Sequence, residues 1–149
     1  MASLQVTISE SVTLNNQPIE ATHTDTISGV NDVFRRIITC TASQTTPLVV
    51  FNDTVHGATG AIDIQDTKYI RITNIDSASS IRVSTIGTDH ATFVLAAGKS
   101  FILGQASSGF FALANDASVD YGETYHNLAS IEINNGNAST VQVEVFIAS

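Results

Sequence analysis

The residues best suited to proton transfer or metal ligation are four histidines, His23, His56, His90 and His126. Local metal motifs place two ligands at i, i+2 or i, i+4, and no pair here has that spacing. Asp89 and His90 are neighbours, but adjacent side chains on an extended chain point in opposite directions. Ser107-Ser108-Gly109 reads as a flexible turn, without the Gly-x-Ser-x-Gly pattern that holds a serine nucleophile on a constrained elbow. Glu10, Glu20, Glu123, Glu132 and Glu144 could supply a hydrolytic carboxylate pair by type alone. Glu132 and Glu144 lie opposite apolar neighbours on their strands and are predicted to face solvent. Asp63, Asp66, Asp76 and Asn74 are calcium-type ligands without the loop pattern of an EF-hand. Cys40, the only cysteine, shares parity with Ile38 and Ala42 and so belongs on the buried face of a strand. Gly87, Gly98, Gly104 and Gly109 punctuate turns, and no helix follows them to present an N-terminus to phosphate. The expectation is a protein that is not an enzyme and has no cofactor and no metal.

The elements that position these residues are strands. Leu4, Val6 and Ile8 alternate with Gln5, Thr7 and Ser9, and Val12, Leu14 and Ile19 flank Asn15-Asn16, a pair that tolerates positive φ and suits a tight reversal. The polar stretch Ala21 to Asn31 reads as an arm or long connection. A strand follows over Asp32 to Thr41, with Phe34, Ile38 and Cys40 on one face and Val33 and Ile37 on the other. Pro47 is placed at the start of the next strand, where the missing N–H is tolerated. Further period-two runs cover Tyr69–Thr73, Ile81–Ile86, Thr92–Leu95, Ser100–Leu103, Ile131–Ile133 and Val141–Val145. Asn134-Asn135-Gly136-Asn137 between the last two reads as a hairpin turn. No amphipathic helix and no repeat at a fixed period is visible.

About nine or ten short strands closely spaced by turns predict an all-β fold, a jelly-roll-like antiparallel β-sandwich. Residues 32–149 form the sandwich domain; residues 1–31 form an N-terminal strand or arm, either part of the sandwich or an assembly arm. A chain of 149 residues with 43% hydrophobic residues can build a core without staples. Charged residues make up only 13% of the chain, and 34 Ser or Thr and 10 Asn replace them. Thr suits a pleated surface and Ser and Asn suit turns. The net charge of −8, from six basic and 14 acidic residues, excludes a nucleic-acid partner held by phosphate neutralisation and disfavours an anionic membrane. No apolar run, Phe93 to Ala97 included, approaches the ~20 residues of a transmembrane helix. The start Met1-Ala2-Ser3-Leu4 has no basic, apolar export signal.

With chemistry excluded, contact residues become the candidates. Leu4, Val6, Ile8, Ile27 and Val30 in the arm region, and Phe110, Tyr121 and Tyr125 in the aromatic region, are the expected partner-interface residues. Consecutive phenylalanines such as Phe110-Phe111 point to opposite strand faces, which fits either a strand buried on both faces or a ring left outside the core for an intersubunit contact.

The run Tyr69-Ile70-Arg71-Ile72-Thr73-Asn74-Ile75-Asp76, the later segment Leu95 to Leu103 (LAAGKSFIL) and the terminal Asn-Gly turn together resemble the small β-sandwich virion proteins of tailed bacteriophages. Capsid decoration (cement) proteins and accessory tail proteins are the nearest in pattern, over roughly Asp32 to Ser149. The resemblance implies a homo-oligomer, with a trimer favoured, seated on the major capsid protein and localised to a virion assembled in the host cytoplasm. It implies a role in clamping neighbouring coat subunits and stabilising the head, with an N-terminal arm, here Leu4 to Asn31, as a contact element. The alternatives are a neck or tail accessory protein, or a carbohydrate- or receptor-binding module on the same fold. Sugar sites usually stack ligand on exposed aromatics, and this chain has no Trp.

Overall fold

The computed structural model describes residues 2–52, 62–63, 66–87, 90–104 and 128–149. Its strands are β1 (Ala2–Leu14), β2 (Gln17–Val30), β3 (Val33–Cys40), β4 (Gln44–Asn52), β5 (Ile62–Asp63), β6 (Tyr69–Asn74), β7 (Ile81–Ile86), β8 (His90–Leu95), β9 (Ser100–Gly104), β10 (Ser130–Asn135) and β11 (Val141–Ala148). The all-β sandwich expected from the period-two pattern is present, with eleven strands among the described residues instead of nine or ten.

Among the described residues, strands β1 and β2 pair only with each other, as a hairpin of 13 and 14 residues. Asn15 and Asn16 turn it with φ values of 51° and 61°, left-handed conformations that asparagine tolerates. The stretch Ala21–Asn31, expected as a connection, is mostly strand, because β1 supplies an antiparallel partner along its length. The sandwich itself is a five-stranded sheet, β5-β4-β10-β7-β8, facing a four-stranded sheet, β3-β11-β6-β9. Its core is aliphatic: Ile72, Val83, Ile131, Ile133, Val143 and Val145 are fully buried, with Ile70, Ile81, Val141, Ile147 and Cys40 beside them.

Four consecutive strand pairs, β3/β4, β6/β7, β8/β9 and β10/β11, each place one strand in each sheet. The segment Asn134–Asn137 is therefore no hairpin turn; it begins a crossing between layers. Two buried asparagines make the crossings possible. Asn135 donates through Nδ2 to the carbonyls of Cys40, Thr41 and Ser139 at 3.0, 3.2 and 3.0 Å, and its Oδ1 accepts from the Asn137 backbone N–H at 3.1 Å. Asn74 does the same one crossing away, donating to Ser79 and Leu95 carbonyls at 2.8 and 3.2 Å while its Oδ1 accepts from the Asp76 N–H. Each amide ends an Ile-x-Ile-x-Asn strand, Ile70–Asn74 and Ile131–Asn135. This is a local echo between two arches that a search for a fixed period overlooks. Buried backbone carbonyls at a chain reversal need partners, and these side chains supply them. The crossings are also tied to one another: Asn74 N donates to Lys99 O, Ser43 N to Asn137 O, and Asn137 Nδ2 to Ser80 O.

Pro47 lies inside β4 and not at its first residue. The ladder to β10 shifts there, with Ile131 opposite Val49 and Glu132 opposite Pro47. The extra residue is a bulge, where a proline without N–H is accommodated. It also turns consecutive Leu48 and Val49 both inward, each 5% exposed.

Replacing Asn135 by Ala removes the two N–H donors that three carbonyls share. Asn135→Ala is expected to lower unfolding stability by ~3 kcal/mol, read as a shift in urea midpoint, and Asn74→Ala by a similar or smaller amount.

Candidate functional site

Among the described residues, the groups that could do chemistry are not brought together. His23 lies on β2 opposite Ile8, and His90 begins β8 opposite Ile86. His56, Asp89 and His126 lie outside the described residues, as do Phe110, Tyr121 and Tyr125. Among the described residues no three His, Cys, Asp or Glu side chains form a group able to hold a metal ion. Asp76 is engaged in its own turn: Oδ1 accepts from Ala78 N and Ser79 N at 2.9 and 2.7 Å, and these backbone donors hold its carboxyl below the usual range. Cys40 is fully buried, and burial pushes its thiol up, away from the thiolate that reactivity requires. No helix among the described residues is long and apolar enough to cross a membrane.

What the fold does assemble is an amphipathic arm on the outer face of the four-stranded sheet. Along the β1–β2 ribbon, Leu4, Val6, Ile8, Val12 and Leu14 share one face with their cross-strand partners Ile27, Asp25, His23, Ile19 and Gln17. The opposite face carries Ser3, Gln5, Thr7, Ser9, Ser11 and Thr13 against Ser28, Thr26, Thr24, Thr22, Glu20 and Pro18. Thr7 and Thr24 share a hydroxyl contact of 3.1 Å on that polar face.

The arm is seated at its base. Ile27 and Val30 are buried with Tyr69 and Ala148, and Leu4, Val6, Ile102 and Phe146 pack around them. Ile27 and Val30 are three apart and would face opposite ways on a regular strand. Gly29 solves this: the register passes from Ala2↔Val30 to Ser3↔Ser28, and Gly29, at φ 71°, forms a bulge in a conformation that costs any other L-residue energy. Its carbonyl accepts from Lys68 Nζ at 2.8 Å. Of the expected interface residues, Leu4, Val6, Ile27 and Val30 thus lie against the chain's own sandwich, and Ile8 remains exposed. Beyond the base the apolar face is open: Ile8, Val12, Leu14 and Ile19 are 40%, 55%, 59% and 54% exposed.

Beside the seat is an ion-pair triad that the sequence did not disclose. Glu144, expected to face solvent, is on the outer sheet face but covered. Arg35 meets its Oε1 at 2.6–2.7 Å from one flank and Arg71 meets its Oε2 at 2.8 Å from the other. The hydrogen bond from Arg35, with both positive charges close by, holds its carboxyl below the usual carboxylate range despite desolvation. Arg71 also lies over the Phe146 ring, 5.9 Å from its centroid, and Phe146 meets Tyr69 edge-on at 6.1 Å. The triad, the aromatic pair and the arm base are one continuous surface. No sequence spacing joins Arg35 and Arg71 to Glu144; only the order β3-β11-β6 does.

No family model matches this chain, and no curated protein or solved structure matches it.

Glu144→Gln is expected to destabilise the fold by about 2 kcal/mol at neutral pH. A carboxyl whose folded pKa is lowered contributes stability that is present above its unfolded pKa and is lost as pH falls through the folded one. Urea midpoints measured downward from neutral pH should therefore fall for the native chain below the ordinary carboxylate range, and fall less steeply for Glu144→Gln. Gly29→Ala should cost about 1 kcal/mol and raise hydrogen exchange at Ile27 and Val30 while leaving the core amides of β10 protected.

Proposed function

We propose that this chain is a structural protein of a virus particle, a capsid decoration (cement) protein that seats on the major capsid protein and stabilises the head. The single observation that carries the reading is the arm: a long ribbon anchored to its own sandwich at one end, with an unpartnered apolar face at the other. Large exposed apolar side chains on one face of a two-stranded ribbon mark a contact element, and a ribbon that size gains little from its own pairing in water. The jelly-roll reading rests on the strand order, in which β3-β11-β6-β9 faces β4-β10-β7-β8 and the pairs β3/β4, β6/β7, β8/β9 and β10/β11 each cross between layers. Such double-sheet rolls are common shell modules, though fold alone never fixes a role. The separate placing of His23 on β2 and His90 on β8, the engaged Asp76 and the buried Cys40 support a part that binds and does not catalyse. The acidic balance fits a partner other than packaged nucleic acid.

The test is to mix the purified full chain with undecorated capsids and follow co-sedimentation. Saturable binding in hundreds of copies per particle, with a gain in the temperature at which capsids release their contents, is the expected result. Binding only to necks or tails, in about a dozen copies or fewer, would move the protein to those sites. No saturable binding to either would overturn the virion reading.

A further inference from the structure

We infer that the distal half of the arm docks on a second copy of this chain, with Ile8, Glu10 and Val12 of one copy laid against Val33, Arg35 and Ile37 on β3 of the other. It rests on the assembly reading only in taking the arm as a contact element.

Ile8, Glu10 and Val12 stand at i, i+2 and i+4 on one face of β1, an apolar–acidic–apolar series. Val33, Arg35 and Ile37 stand at the same spacing on the outer face of β3, an apolar–basic–apolar series. Both series are open: Val33 and Ile37 are 50% and 58% exposed, and the Arg35 side chain is 66% exposed. Opposite charges between flanking apolar residues fix register in strand contacts. Arg35 gives Glu144 its Nε and one terminal nitrogen; a guanidinium has five N–H donors, so others remain for Glu10.

The receiving surface continues one that already takes this arm. The base of the same apolar face is seated on Tyr69, Ile102, Phe146 and Ala148, on strands β6, β9 and β11 of the same sheet. Strand β3 is the next strand outward and, among the described residues, the sheet's edge. Its pairs Ala148↔Val33 and Glu144↔Ile37 place Val33 and Ile37 on that same outer face. Charge points the same way. Residues 2–30 carry Glu10, Glu20 and Asp25 with no Lys or Arg, whereas β3 carries Arg35 and Arg36 with no carboxylate. In a chain of net charge −8, copies repel one another at long range, and contact needs such a local reversal. Each copy offers one arm and one β3 face, so the contact links copies as a reciprocal pair, a ring or an open chain.

The experiment is sedimentation equilibrium of the full chain across a wide concentration range, without any capsid present. The native chain is expected to self-associate. Val12→Glu and Ile37→Lys should each weaken association about tenfold or more with melting temperature unchanged, because both sites are exposed. An equimolar mixture of the two variants should recover association, since the introduced charges are opposite. Val12→Cys mixed with Ile37→Cys should cross-link on mild oxidation faster than either alone, and the buried Cys40 does not compete. A chain that stays monomeric throughout overturns the inference, as does faster self-cross-linking of Val12→Cys, which would pair arm with arm. Loss of capsid binding in Val12→Glu by a native chain that is monomeric also overturns it and assigns the arm to the coat protein. Self-association that responds as described, with no binding to capsids or tails, upholds this inference while removing the virion reading.

Discussion

Strand β11 has no solvent side over its second half. Val143, Val145 and Ile147 fill the core from its inner face, while Glu144, Phe146 and Ala148 are covered on the outer one. It pairs β3 on one flank and β6 on the other. Removing a strand in that position would open the core, break the ion triad and unseat the arm together. The aliphatic interior supplies most of the driving force, since apolar burial is the dominant favourable term in folding. The covering of the outer face is what lets a ribbon with little stability of its own be held in a fixed place.

The triad and the arm seat divide the outer face between them. A covered ion pair contributes less to net stability than its short contacts suggest, because both partners lose water. Its clearer consequence is positional. Two arginines drawn to one carboxylate hold β3, β11 and β6 in register on the side where the arm lands, and Arg71 extends that order to the Phe146 ring. The polar ribbon face needs no such partner, because hydroxyls there remain hydrated.

Much of this was legible in the residues. Period-two alternation put Phe34, Ile38 and the buried Cys40 on one face of β3 and Val33 and Ile37 on the other, and the structure turns the first face to the core and the second outward. Asn15-Asn16 marked the ribbon's turn. What escaped reading was whatever depends on a distant partner. Strand β2 is too polar to announce itself, and its apolar face is completed by Leu4, Ile8 and Val12 from β1. Pro47 appeared to open a strand because a bulge is a property of two strands. Asn135 resembled a hairpin residue because a buried amide and an exposed turn amide are the same letter. Its twin at Asn74, each ending an Ile-x-Ile-x-Asn run, was the one local signal available. Glu144 looked solvated because the two arginines that cover it arrive from strands far away in the chain.

The order of strands also governs when the molecule can form. The arm is a local hairpin, closed by two asparagines, and its pairing needs no distant strand. The sandwich cannot. Its first strand, β3, waits for its last, β11, as the separation of 109 residues between Arg35 and Glu144 records. Pairings of that range make folding slow. During synthesis the apolar arm and the unpaired edge of β3 are exposed together until the final strand leaves the ribosome. A nascent chain in that condition is prone to premature contacts with its neighbours.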